Sequence, residues 1–150
     1  MRLTIQRVSE ARVTVDGRLT GEIGRGLLVF VGIAAGDTDD DIAYCARKVC
    51  DVRVFDSDAG KGFDRSVVEV GGAILVVSQF TLYGDVRKGR RPAFDAAAPP
   101  PTARQIYDRF VQALQAVGPR VETGEFQAMM QVALVNDGPV TLLVDSARAF

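Results

Sequence analysis

The 150-residue chain contains no histidine and no tryptophan, and only two cysteines. Without histidine, every mechanism that needs an imidazole is excluded: a Ser-His-Asp triad, a Cys-His dyad and a His-ligated metal centre alike. Any catalysis has to use another base, backbone dipoles or groups of the substrate itself. Cys45 and Cys50 lie five residues apart in one expected helix. That is neither a redox nor a zinc spacing, and they read as small buried thiols. No apolar run reaches the ~18 residues of a membrane span. The opening residues, Met1-Arg2-Leu3-Thr4-Ile5-Gln6, alternate polar and apolar where a signal peptide would carry an apolar block. The expectation is a cytoplasmic protein with no membrane partner. A basic surplus is missing too: 18 Lys and Arg stand against 19 Asp and Glu, for a net charge of −1. Any nucleic-acid role would therefore have to rest on a local patch with few phosphate contacts.

What is present is ordinary for one globular domain spanning 1–150, with 47% hydrophobic and 25% charged residues. Leu3 to Val8 and Ala11 to Val15 alternate as strands, and Asp16-Gly17 is a strong hairpin signal before a strand at Arg18 to Ile23. Leu27 to Ile33 is almost continuously apolar, which predicts a strand buried on both faces. Gly36 to Asp41 opens a helix that Asp37 or Thr38 can cap, with Ile42, Cys45, Ala46 and Val49 on one face. Val52 to Phe55 and Val67 to Val70 read as short strands, Asp56 to Arg65 as an exposed loop and Ala73 to Val77 as a strongly apolar strand. After an irregular stretch from Gly84 to Pro101, Thr102 would cap a second helix whose apolar face is Ile106, Phe110, Ala113, Leu114 and Val117, ended by Gly118-Pro119. Met129 to Val135 and Val140 to Val144 read as two strands joined by Asn136-Asp137-Gly138-Pro139. The pattern predicts an α+β fold: a curved, mostly antiparallel or mixed sheet, a barrel-like roll, with two main helices packed on one side.

Three segments could carry chemistry. Ser78-Gln79-Phe80-Thr81-Leu82-Tyr83-Gly84-Asp85 runs directly off a buried strand, at the carboxyl end where ligands often meet a sheet. It offers two hydroxyls, an amide and free backbone N–H groups; equally, a strand end can spend such groups on its own backbone. Asn136-Asp137-Gly138-Pro139-Val140-Thr141 is composed of turn formers and reads as a hairpin turn. Alternatively, a cis Gly-Pro bond, open to X–Pro at modest cost, would turn two carbonyls to one side as an acceptor pair for an ammonium group and a wall against any side chain aimed at them. Arg87-Lys88-Gly89-Arg90-Arg91 is either a solvated loop or a phosphate clamp.

The first two of these segments resemble the two signatures of the D-aminoacyl-tRNA deacylase family. Gln6 to Ala11, Gly24 to Gly32, Lys88 to Pro92, Ala97-Ala98-Pro99 and Val121 to Gly124 are similar to further family text in family order, so the resemblance covers essentially the whole chain. Gly60 to Ser66 departs from the commoner wording, and Tyr83-Gly84 falls where members vary. The resemblance implies hydrolysis of the ester of D-aminoacyl-tRNA, and of glycyl-tRNA mischarged on non-cognate tRNA, with no cofactor and no metal. It implies a homodimer with a cross-subunit site that holds the 3′ end of the aminoacyl-tRNA. Ser78, Gln79, Phe80 and Thr81 would line one wall, with Thr141 close by. Gly138 and Pro139, with Asn136, would form the substrate-facing Gly-cis-Pro projection that rejects L-substrates. Arg87, Lys88, Arg90 and Arg91 are the candidate tRNA contacts. No base stands beside Thr81 or Thr141 in the pattern to activate either as a nucleophile; the resemblance implies catalysis by the terminal 2′-hydroxyl of the RNA, with backbone groups placing the ester and stabilising the oxyanion. A nonenzymatic module that holds aminoacyl-tRNA ends, or a structural dimer in which Asn136 to Pro139 merely closes a hairpin, are the alternatives.

Overall fold

A computed structural model describes residues 1–149. Its elements are β1 (Arg2–Val15), β2 (Arg18–Ile23), β3 (Gly26–Gly32), α1 (Asp39–Asp51), β4 (Ala73–Ser78), a 3-10 turn (Phe80–Tyr83), α2 (Pro100–Val117), β5 (Arg120–Thr123) and β6 (Gln131–Asp145). The two expected N-terminal strands are one, β1. Exposed Ser9 and Glu10 lie between β3 and β2 on one edge but do not break it, because β6 pairs with β1 on both sides of them along the other. β6 runs along one edge from Arg2↔Asp145 to Thr14↔Gln131. The other edge is taken first by β3 (Arg2↔Gly32 to Val8↔Gly26) and then by β2 (Ala11↔Ile23 to Val15↔Arg18). Asp16 (φ 50°) and Gly17 (φ 75°) turn β1 into β2 with the two positive φ values a tight hairpin needs.

β4 runs parallel to β3, and β5 parallel to β4. Parallel neighbours need long crossovers, and the segments carrying α1 and α2 supply them. The mixed sheet curls until β2 meets β5: a Cβ on Gly21 would stand 2.4 Å from the Thr123 carbonyl oxygen. The result is the expected α+β barrel-like roll. One face buries Leu3, Ile5, Leu27, Val29, Ile74 and Val76 against Ile42, Cys45 and Val49 of α1 and Ile106, Phe110 and Leu114 of α2. The inside of the roll buries Val8, Ala11, Val13, Ile23, Leu28, Leu75 and Val77. β3 is thus buried on both faces, as its unbroken apolar run requires.

Thr38 caps α1; its N–H and Oγ–H donate to the Asp41 carboxylate at 2.8 and 2.7 Å. α2 begins two residues before the expected cap, at Pro100, with Pro99 as the N-cap residue. Prolines are tolerated there because the first N–H groups of a helix have no partner within it. Gly118, at φ 114°, ends α2 as predicted. Val67–Val70 is a turn, closed by local bonds such as Gly72 N–H to the Val67 carbonyl at 2.9 Å. Phe55 forms only an isolated bridge to Arg65. β5 had no counterpart in the sequence pattern, since four residues with two charges carry too little alternation. β6 is one strand where two were expected, with consequences for the site. No helix among the described residues is long and apolar enough to cross a membrane.

Both thiols are buried, and burial pushes Cys45 up to about 12 and Cys50 up to about 11 from an ordinary 9.0. Their preference for the folded state is therefore intact below pH 9 and is lost as the pH rises from there through the folded values. Neither thiol should react with a chromogenic disulfide reagent at pH 8 in the folded protein, and both should react in urea. Rapid modification without denaturant would contradict the burial.

Candidate active site

The first cluster grows from the end of β4. Ser78 pairs with Val31 in the β3 ladder, and Gln79 N–H donates to the Val31 carbonyl at 2.8 Å. The chain then coils into the 3-10 turn, with Leu82 N–H donating to the Gln79 carbonyl at 3.2 Å. The turn sits directly on β3, where Gly32 leaves the room: a Cβ there would lie 2.9 Å from Leu82 Cβ. The N–H groups of Phe80 and Thr81 open the turn, so no carbonyl within it reaches them. The Gln79 amide donates to Thr81 Oγ1. The Phe80 ring is 59% exposed and stands edge-on to Phe94, centroids 5.0 Å apart.

Ser78, Gln79 and Phe80 form one end of a groove of about 850 Å³. Phe94 and Ala97 to Pro100 make one side, and Phe126, Met129 and Met130 another; Asp95 is the charged residue of the lining. A largely apolar groove with a polar end suits a flat ring carrying a polar group to be handled at Ser78–Thr81.

The second cluster is on β6. Between Val8↔Asn136 and Gln6↔Thr141 two steps on β1 are matched by five on β6, so Asp137 to Val140 is forced out of the ladder. Asn136 to Pro139 is therefore an excursion from one continuous strand, where a hairpin between two strands was an open reading. Pro139 has no N–H to lose by leaving the ladder, and Gly138 takes φ 135°, in the region that favours glycine. The Gly138-Pro139 bond is cis, and both residues are exposed. Arg7 braces the excursion: Nε donates to the Asp137 carbonyl at 2.9 Å and Nη1 to the Val54 carbonyl at 2.5 Å, with the Asp137 carboxylate 3.4 Å away. Asn136 Oδ1 accepts from Val140 N–H at 2.9 Å, which orients the amide so that Nδ2 donates to Thr141 Oγ1 at 3.0 Å. Gln6 Nε2 donates to the same oxygen at 3.2 Å. Both neighbours of the Thr141 hydroxyl are thus donors, and neither can take its proton.

Within one chain the two clusters do not meet. From Thr141 the ladder passes through β1 and β3 before it reaches β4, three strand spacings or about 14 Å, and neither Gly138 nor Pro139 lines the groove. The basic segment is the tip of a small loop closed by the Asp85–Ala93 bridge. Arg87 turns back onto Asp85 at 2.6 and 2.9 Å, and these hydrogen bonds hold the Asp85 carboxyl down at about 2. Lys88, Arg90 and Arg91 are exposed.

A family model described as D-Tyr-tRNA(Tyr) deacylase matches residues 4–145. The chain belongs to that family. It is an enzyme of the deacylase class, a hydrolase. A D-aminoacyl-tRNA deacylase of Koribacter versatilis is 56% identical over 150 residues, covering all of both chains. One of Symbiobacterium thermophilum is 55% identical over 150 residues, covering all of this chain and 99% of its own. Among solved structures, the c-Myc DNA Unwinding Element Binding Protein aligns at TM-score 0.92 with 40% identity, over 97% of this chain and 98% of its own. A probable eukaryotic D-amino acid tRNA deacylase shares the fold at TM-score 0.81 with 19% identity, over 95% and 97%.

The family signatures do not single out Arg7, Gln6, Phe94, Phe126, Met129 or Met130. Arg7 was legible in principle: period two places it on the face of Leu3 and Ile5, where a charge needs partners. Replacing Arg7 with Ala removes the brace from the Asp137 carbonyl, and the single nitrogen of Lys cannot reproduce the planar fork that places Nε on the Asp137 carbonyl and Nη1 on the Val54 carbonyl. Both variants should stay folded by circular dichroism and lose about tenfold or more of deacylation kcat/KM. Full activity in Arg7→Ala would show that the excursion holds its own shape.

Proposed function

We propose that the chain hydrolyses the ester of D-aminoacyl-tRNA, and of glycyl-tRNA mischarged on non-cognate tRNA, as a homodimer in which Gly138-Pro139 of one protomer faces the groove of its partner. The observation that carries this reading is the separation of the two signature clusters within one chain: each is built and exposed, yet neither completes the other. The edge also favours a second copy. β6 pairs only with β1 among the described residues, and it exposes Val135 (50%) and Leu143 (62%). An unpaired edge strand with exposed apolar side chains invites a partner.

In this reading the apolar groove takes the terminal nucleoside, and the N–H groups of Phe80 and Thr81 receive the ester carbonyl as negative charge develops on it. Carbonyls of the partner's excursion hold the substrate ammonium. Water attacks the acyl carbon, the bond to the ribose 3′ oxygen breaks, and the neighbouring 2′-hydroxyl relays the proton, giving the free amino acid and a tRNA with its 3′-hydroxyl restored. No protein nucleophile is needed, because aminoacyl esters are reactive and orientation supplies much of the barrier reduction. With ammonium and ester fixed, an L side chain would strike the Gly138-Pro139 wall while a D side chain points outward. Glycine has nothing to be rejected, and side-chain type matters little. Ser78, Gln79 and Asn136 shape the two walls.

A second reading, a module that binds nucleic acid without cutting it, is favoured by the name of the DNA Unwinding Element Binding neighbour. Hydrolysis of matched D- and L-tyrosyl-tRNA by the purified protein decides between them. Release from the D-ester alone supports the deacylase; tight RNA binding with no release from either supports the module. Gly138→Ala places a Cβ 2.8 Å from Val140 Cγ2 and 3.0 Å from the Arg7 guanidinium, and should abolish activity or let L-tyrosyl-tRNA be cut. Thr141→Ala should keep most of its rate. A ~10⁴-fold loss, the scale seen for true nucleophiles, would restore Thr141 to that role.

A further inference from the structure

We propose that the tip between Asp85 and Ala93 is an electrostatic clamp on phosphodiesters of the unpaired 3′ tail of the RNA, made by Lys88, Arg90 and Arg91 without Arg87. The inference rests on the deacylase reading and adds to it the part of the RNA that is gripped and the residues that grip it. Arg87 is already spent: its guanidinium and its backbone N–H all donate to the Asp85 carboxylate. That contact turns Arg87 back toward the base of the loop and fixes the start of the tip. Gly89, at φ 74°, lets the chain reverse at the apex.

Charge on the rest of the molecule is mostly matched. Among the described residues, ten of the eighteen Lys and Arg side chains lie within salt-bridge distance of a carboxylate. Of the other eight, three lie over aromatic rings, Arg12 and Arg47 stand apart, and Lys88, Arg90 and Arg91 share one tip. In a chain of net charge −1, this is the place where unmatched positive charge accumulates. A solvated loop would need no such concentration.

Its location gives the target. The base of the tip abuts the groove: a Cβ on Gly84 would meet Phe94 Cε1 at 3.1 Å, and Phe94 in turn packs on Phe80. The apex, four residues beyond the bridge, reaches at most about 13 Å. Along a stacked strand at about 3.4 Å per nucleotide, that is three or four nucleotides. The cations therefore meet phosphates next to the ester-bearing nucleotide, in the single-stranded tail, and stop short of the body of the tRNA. Three contacts of this kind should make the reaction salt-dependent by about 0.7 per cation in the log–log slope.

The test compares the wild type with Lys88→Gln/Arg90→Gln/Arg91→Gln on D-tyrosyl-tRNA and on D-tyrosyl-adenosine, which has the same ester and no phosphate. The ratio of kcat/KM for tRNA to that for the nucleoside should fall by about tenfold or more at 0.15 M salt, chiefly through KM, and the salt slope for tRNA should flatten by about 2. An unchanged ratio and slope, or an equal loss on both esters, would overturn the clamp. If the wild type cuts neither ester, the deacylase reading fails on its own, and binding of uncharged tRNA decides the clamp. There a tenfold or greater loss of affinity in the triple variant supports it, and equal affinity overturns it.

Discussion

One strand, β1, has β6 beside it from end to end on one edge and β3 and then β2 on the other. Most of the sheet is therefore registered to it. Because the ladder resumes on both sides of the break, from Thr14↔Gln131 to Val8↔Asn136 and again from Gln6↔Thr141 to Arg2↔Asp145, the surplus residues of β6 have nowhere to go but outward. Three residues too many on a strand pinned at both ends produce the excursion at Gly138-Pro139. Arg7 then fixes its path from underneath. A loop between two independent strands would have no such anchorage, and its tip would be free to move relative to the sheet. The same register that curls the roll thus displays the excursion at a defined height.

The chemistry open to the site follows from what its polar groups already do. Thr141 Oγ1 is held by two amide donors, Thr81 Oγ1 by another, and the thiols are inert in the core. Among the described residues, neither threonine hydroxyl has a hydrogen-bond partner able to take its proton, so activation of either as a nucleophile lacks its first requirement. What is left is an arrangement of backbone dipoles: the N–H groups opening the 3-10 turn at one end of the groove, and the backbone of the exposed Gly138-Pro139 pair on the excursion. Dipoles of this kind favour a reaction in which charge develops on a carbonyl oxygen and the substrate carries its own proton relay. That is the character of an aminoacyl ester beside a vicinal hydroxyl, and it agrees with membership of a deacylase family.

Much of this was legible from residues alone, and the failures have a common physical cause. Alternation located β1, the Asp16-Gly17 turn placed β2 after it, apolar runs marked β4 and the doubly buried β3, and the cap candidates Asp37 and Thr38 marked the start of α1. Where the reading diverged, local chemistry was shared by two structures. Asn-Asp-Gly-Pro closes hairpins and also populates a bulge, and only the partner strand, with Gln6 and Val8 at fixed register, tells them apart. The irregular stretch was expected to run to Pro101, with Thr102 as cap, yet prolines are equally at home in a first helical turn. β5 is a strand because β4 offers it an edge, which is a tertiary fact. Within the site, the signatures located the groove end and the excursion. The apolar lining at Phe94, Phe126 and Met129 stayed hidden because it is gathered from three separate segments.

The distribution of charge completes the argument about what this surface can select. A protein of net charge −1 gains little from long-range attraction to a polyanion, so recognition of an RNA must come from contacts close to the reacting atoms. The groove, the opening of the 3-10 turn and the cationic tip all sit at one end of β4, and in the proposed reading they engage only the last few nucleotides. These nucleotides carry little that distinguishes one tRNA from another, and a wall that rejects by clash at the α-carbon does not read side chains. In the same reading, short-range binding permits rapid release. In that reading, generality toward substrates and strictness toward configuration arise from the same arrangement: side chain and configuration are tested only at the α-carbon beside the ester, and the phosphates gripped by the tip add affinity without sequence.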